Sequence, residues 1–156
     1  MKKAMIVLNF ILLALFISGC GCNKKEEEIK TSQCLHKATN EDYTYDVKYN
    51  FESSSDKLIK YVRTEKYSSD DITVLENMQT YKQEYFEKFK EIDGFEYSDD
   101  ISDNELDIII TIDFLKINKE KLLEIEPFYL NFCDSDDNFN INYTIDYYIG
   151  EGMTCS

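Results

Sequence analysis

Tyr43-Thr44-Tyr45-Asp46-Val47-Lys48-Tyr49-Asn50-Phe51 decides the fold class of this chain. Large apolar residues take every second position and polar ones fill the gaps. A period of two places all five apolar side chains on one side of an extended backbone, so the stretch is predicted to be a strand with one buried face. Ser53-Ser54-Ser55-Asp56 supplies turn residues immediately after it. A second, less regular strand is expected over residues 57–67, with Leu58, Ile59, Tyr61 and Val62 apolar, completing a hairpin.

Downstream the period changes. Leu75, Met78, Tyr85, Phe89 and Ile92 recur at helical spacing across residues 71–93. Ser68-Ser69-Asp70-Asp71 offers N-caps, Glu84 and Lys88 form a favourable pair four residues apart, and Gly94 is the expected stop. Strand signals return at residues 95–97, broken by Ser98-Asp99-Asp100, and again at Leu106, Ile108, Ile110, Ile112 and Phe114. Ile109 lies between them and predicts partial cover on the other side of that strand. Asn118 and Asn140 or Asn142 are expected to cap two short helices, over 119–125 and 143–149, with Pro127 limiting the first. The order hairpin, helix, hairpin, helix, helix predicts an α+β fold: an antiparallel sheet of two hairpins with helices packed on one face.

The chain has 156 residues, 31 acidic against 17 basic, for a net charge of −14. Arg63 is the only arginine. Nucleic acid is excluded as a general partner, because phosphate recognition draws on clustered Lys and Arg.

The N-terminus carries an address. Lys2-Lys3, an apolar run over residues 4–16 and then Ile17-Ser18-Gly19-Cys20 resemble a bacterial lipoprotein signal peptide. The run is too short for a lasting span, which takes about 20 apolar residues. The resemblance implies that residues 1–19 are removed and that Cys20 gains a diacylglyceryl thioether, making the membrane a partner through that lipid. Losing Lys2 and Lys3 would leave fifteen basic residues and a charge of −16. Residues 20–33 are polar and lack a hydrophobic period, so they are expected to form a lipidated tether. Residues 34–156 remain for a single α+β domain.

Taken with the lipobox, several pieces of the body resemble the YehR-like family of small bacterial lipoproteins. These are Tyr45-Asp46-Val47-Lys48-Tyr49-Asn50-Phe51, Asp56-Lys57-Leu58, Thr111-Ile112-Asp113-Phe114 and Gly152-Met153-Thr154-Cys155. That resemblance implies an α+β fold and an outward-facing anchored domain, and it brings no catalytic residues with it.

With Cys20 given to lipid, Cys22, Cys34, Cys133 and Cys155 permit three full pairings outside the reducing cytosol. The expected bridge joins Cys34 to Cys155, stapling the start of the body to its end; Cys22 and Cys133 could make a second. His36 is the only histidine, and its solitude favours a packing role over a ligand role. In Asp134-Ser135-Asp136-Asp137-Asn138, Asp134, Asp136 and Asn138 occupy positions one, three and five of a calcium loop. Phe139 then stands where glycine belongs and Ile145 where a bidentate Glu belongs, which favours an ordinary loop. Tyr147 and Tyr148 are the tyrosines whose place, core or binding surface, is left open.

No Ser-His-Asp order, phosphate loop or His-Glu zinc motif is present, and no cofactor is implied. The expected function is noncatalytic: an extracytoplasmic, membrane-anchored lipoprotein that binds an envelope protein or ligand. The alternatives are a weak calcium-binding module built on the acidic loop and, behind it, an envelope enzyme.

Overall fold

The computed structural model describes residues 28–156. The expected signal segment, Cys20 and Cys22 lie outside the described residues. Six strands form one antiparallel sheet: β1 (Ile29–Thr39), β2 (Thr44–Ser54), β3 (Lys57–Ser68), β4 (Phe95–Ser102), β5 (Glu105–Asp113) and β6 (Thr154–Cys155). Their order across the sheet is β4-β5-β3-β2-β1-β6. Among the described residues there are also three α-helices, α1 (Ile72–Phe86), α2 (Lys119–Ile125) and α3 (Ile141–Gly150), with 3₁₀ segments at Glu87–Phe89 and Pro127–Phe132.

The two expected hairpins are β2–β3 and β4–β5. In the first, Val47, Tyr49 and Phe51 are buried, as their alternation requires. The second turns on Asp103 and Asn104, both at positive φ, the combination a two-residue type I′ turn demands. Helix caps follow the side-chain chemistry. Asp71 accepts from the Thr73 N–H at 2.9 Å, Asn118 from Lys121 at 3.0 Å, and Asn140 from Asn142 at 2.9 Å.

Four local expectations are corrected. β1 begins at Ile29, so residues 29–33 belong to the sheet and not to the tether. This strand lies between β2 and β6, and its helix-side positions are Ser32, Cys34, His36 and Ala38, which give no apolar alternation. The long helix ends at Phe86 and tightens into the 3₁₀ turn, which lets Phe86 and Phe89 both stack on Phe95. Gly94 (φ +81°) therefore does not cap that helix but leads into β4. A Cβ there would stand 2.8 Å from the Asp113 carbonyl oxygen. β4 runs straight through Ser98-Asp99-Asp100, because Asp99 turns inward and accepts from the Gln79 and Gln83 side-chain amides at 2.8 and 3.0 Å. Finally, Ile109 is 44% exposed rather than covered.

The helices all lie on the face that carries Val47, Tyr49, Phe51, Tyr61, Ile108 and Ile110. α1 packs over β4 and β5. α3 covers β2 through Tyr148, whose ring centre lies 4.3 Å from Tyr49 and 5.7 Å from Phe51. Phe132 of the second 3₁₀ segment joins Tyr61 and Tyr148. Each such buried ring contributes roughly 1.5–3 kcal/mol through apolar burial. The centre strand, β3, runs beneath the gap between α1 and the 127–132 segment.

Candidate functional site

β3 alternates Tyr61, Arg63, Glu65 and Tyr67 toward the helices, since each pairs with an inward residue of β2. Two charged residues therefore stand in the middle of an aromatic core. Glu65 has no accessible side-chain surface. Its carboxylate meets Arg63 at 2.5 Å, Lys82 of α1 at 2.8 Å and the Tyr67 hydroxyl at 2.5 Å. Burial works against the charge, but Arg63 and then Lys82 outweigh it and hold the Glu65 carboxyl below its ordinary pKa. Burial, followed by the Glu65 charge, pushes the Tyr67 phenol up. Arg63 stays protonated: burial opposes its charge, and the tyrosine oxygens and Glu65 more than offset that.

A cleft of about 260 Å³ opens beside this group, between α1 and the 127–132 segment. Arg63 lies in its wall with 28% of its side chain accessible, and its Nε is buried with no hydrogen-bond partner among the described residues. Tyr85, Phe128 and Tyr129 supply aromatic walls and Glu126 an acidic one. The Tyr85 hydroxyl donates to Glu126 Oε2, and Lys88 Nζ approaches the same oxygen at 3.7 Å. Lys88 also stands 3.8 Å from the centre of the Tyr85 ring, a cation–π contact. Burial, reinforced by Glu126, raises the Tyr85 pKa and keeps the phenol a donor.

The residues singled out by sequence are dispersed. Cys34 and Cys155 form a disulfide across directly opposed positions of β1 and β6, with Cα atoms 4.0 Å apart. Gln33 and Ser156 exchange two backbone hydrogen bonds beside it, each 2.8 Å long. His36 sits on β1 with its ring edge-on to Tyr45. Tyr148 is core, and Tyr147 packs partly buried against Phe128 and Phe132. Cys133 makes no disulfide among the described residues, and burial raises its pKa despite nearby Lys119, leaving a thiol.

Asp134, Asp136 and Asn138 do share one loop, and within it the Asp134 carboxylate is taken up by the loop's own donors. Asp134 Oδ1 accepts from the Asp136 and Asn138 N–H groups at 3.0 and 2.9 Å, and Oδ2 accepts from Asn140 at 3.4 Å. Asn138 turns its amide N–H onto the Asp136 carbonyl. Lys119 pairs with Asp137 at 2.6 Å. Among the described residues, no group of three or more His, Cys, Asp or Glu side chains is placed to hold a metal ion.

The arrangement of six strands, one-sided helices and the covalent clasp between the first and last strands can be set beside known structures. The solution structure of the Escherichia coli YehR protein superposes with a TM-score of 0.56, covering 81% of this chain and 91% of that one at 18% identity. The fold is that of YehR. A protein from Streptococcus pneumoniae TIGR4 shares the YehR-like fold, with a TM-score of 0.56 over 86% of this chain and 88% of its own at 11% identity. No protein-family model matches the sequence, and no curated protein matches it.

Sequence reasoning passed over the Arg63–Glu65 cluster. Its signal was available: the chain's only arginine two residues from a glutamate, in register with tyrosines on either side. Charges at inward positions read as an irregular strand rather than as a buried pair.

Proposed function

We infer that this chain is a lipoprotein moored through lipid on Cys20 to the extracytoplasmic face of the membrane, where its folded part binds a ligand or an envelope protein without catalysing a reaction. The observation that carries the reading is the Cys34–Cys155 bridge, close after the lipobox Ile17-Ser18-Gly19-Cys20. Structural disulfides persist in oxidising compartments and are rare where glutathione and thioredoxin keep thiols reduced. Among the described residues no helix is long and apolar enough to cross a membrane; attachment by lipid rests on the lipobox at Cys20.

The electrostatics favour binding over proton chemistry. Glu65 is held ionised by two cations, Tyr67 and Tyr85 are pushed further from ionisation, and Cys133 is kept a thiol. A general acid or base works best with a pKa near the operating pH, and all four are moved the other way.

Fractionation of cells tests the anchor. The wild-type chain is expected in the membrane fraction and the Cys20→Ser variant in the aqueous one. Membrane retention of Cys20→Ser would overturn the proposal.

A further inference from the structure

We propose that the cleft bounded by Arg63, Tyr85, Glu126, Phe128 and Tyr129 is a binding site for a single α-amino acid with an apolar side chain. This rests on the binding role inferred above and names its ligand.

Three features point to that chemistry. First, the trio around buried Glu65 is unbalanced: Arg63 and Lys82 bring two positive charges against one from Glu65. A carboxylate reaching the accessible part of Arg63 would complete the balance, and of the guanidinium's donors it is Nη2 that meets Glu65. Arg63 Nε makes no hydrogen bond at all within the described residues.

Second, the rim already holds an ammonium group. Lys88 Nζ sits over the Tyr85 ring at 3.8 Å and beside Glu126 at 3.7 Å. Among the described residues the polar side-chain contacts of Glu126, from Tyr85 and Lys88, fall on Oε2, which leaves Oε1 to receive another donor. The chain's own lysine thus demonstrates the mode in which a ligand's α-ammonium would be held.

Third, the walls between these two charges are aromatic, and the volume is about 260 Å³. Sites for drug-sized molecules span roughly 300–1,000 Å³, so this one suits something the size of one residue. Opposite charges at two points with apolar surface between them match a zwitterion carrying a hydrocarbon side chain. A cation alone would face Arg63, and an anion alone would leave Glu126 Oε1 without a donor from the ligand.

Isothermal titration calorimetry on the purified full chain in detergent tests this with L-leucine as the probe. Saturable heat is expected with L-leucine, none with 3-methylbutylamine, and at least about tenfold weaker binding with 4-methylpentanoate, as the loss of one partner of a charge pair implies. No saturable heat with L-leucine, or equal binding by either truncated compound, would overturn the proposal. Arg63→Gln is expected to abolish binding. Because that change strips a partner from Glu65, Glu126→Gln at the rim provides the second variant. It should weaken L-leucine about tenfold while leaving 4-methylpentanoate no weaker; unchanged L-leucine affinity would count against the site. Failure here leaves the fractionation of Cys20→Ser untouched, so the ligand and the membrane address fail separately.

Discussion

Glu65 and Asp134 are two carboxylates that both hold their charge below the ordinary pKa, by opposite routes. Glu65 lies at the middle of the sheet with no accessible side-chain surface, and two cationic side chains keep it ionised against burial. Asp134 lies in a turn at the surface, where the backbone N–H groups of Asn138 and Asp136 do the same work with burial a lesser opponent. One depends on residues far apart in sequence, the other on neighbours two and four positions away. A charge set among distant partners is coupled to the whole fold, whereas a charge satisfied by its own loop is coupled to little beyond it.

The largest test of that contrast is Glu65→Gln. Removing one partner of a buried ion pair leaves its counterparts uncompensated, and the expected loss is about 3–5 kcal/mol, read from urea unfolding. A double variant adding Lys82→Met should recover part of it, since the two side chains belong to one network. Full additivity of the two losses would mean that the 2.8 Å contact contributes nothing.

A smaller effect should appear in the pH dependence. Glu65 has a lower pKa folded than unfolded, so its contribution is complete above the unfolded value of about 4.3 and is lost as pH falls through the folded one. Tyr67 is raised, so its contribution is complete below the unfolded value of about 10 and is lost as pH rises through the folded one. Unfolding measured across pH should show a plateau falling away on both sides, and Glu65→Gln should flatten the acid limb. An acid limb of unchanged slope in that variant would assign the loss to other carboxylates.

Smallest of all is Asp134→Asn. The replacement keeps an oxygen in place for the two N–H groups, so the unfolding midpoint should hardly move. A fall comparable to that of Glu65→Gln would erase the distinction between the two sites.

The same contrast explains what could be read in advance. Tyr43 to Phe51 announced β2 because a strand covered on one side alternates by necessity, and Asp71, Asn118 and Asn140 announced helix starts because a cap acts within a few residues. β1 was silent: Ser32, Cys34 and His36 face the helices without an apolar rhythm, and its register comes from β2 and β6. The acidic loop drew attention since its residues are adjacent, and in it Asp134 accepts from the loop's own donors. Arg63, Glu65, Lys82 and Glu126 gained no such notice, because only folding brings β3, α1 and the segment before Pro127 together.

The joined ends of the sheet have a further effect on how the molecule ages. Cys34 and Cys155 are 121 positions apart, so nearly every peptide bond of the described body lies inside one covalent ring. A protease that nicks any surface loop within that ring severs the backbone without releasing a fragment. The clipped molecule keeps its pieces joined through the Cys34–Cys155 bridge, and only a second cut or a reductant sets one adrift.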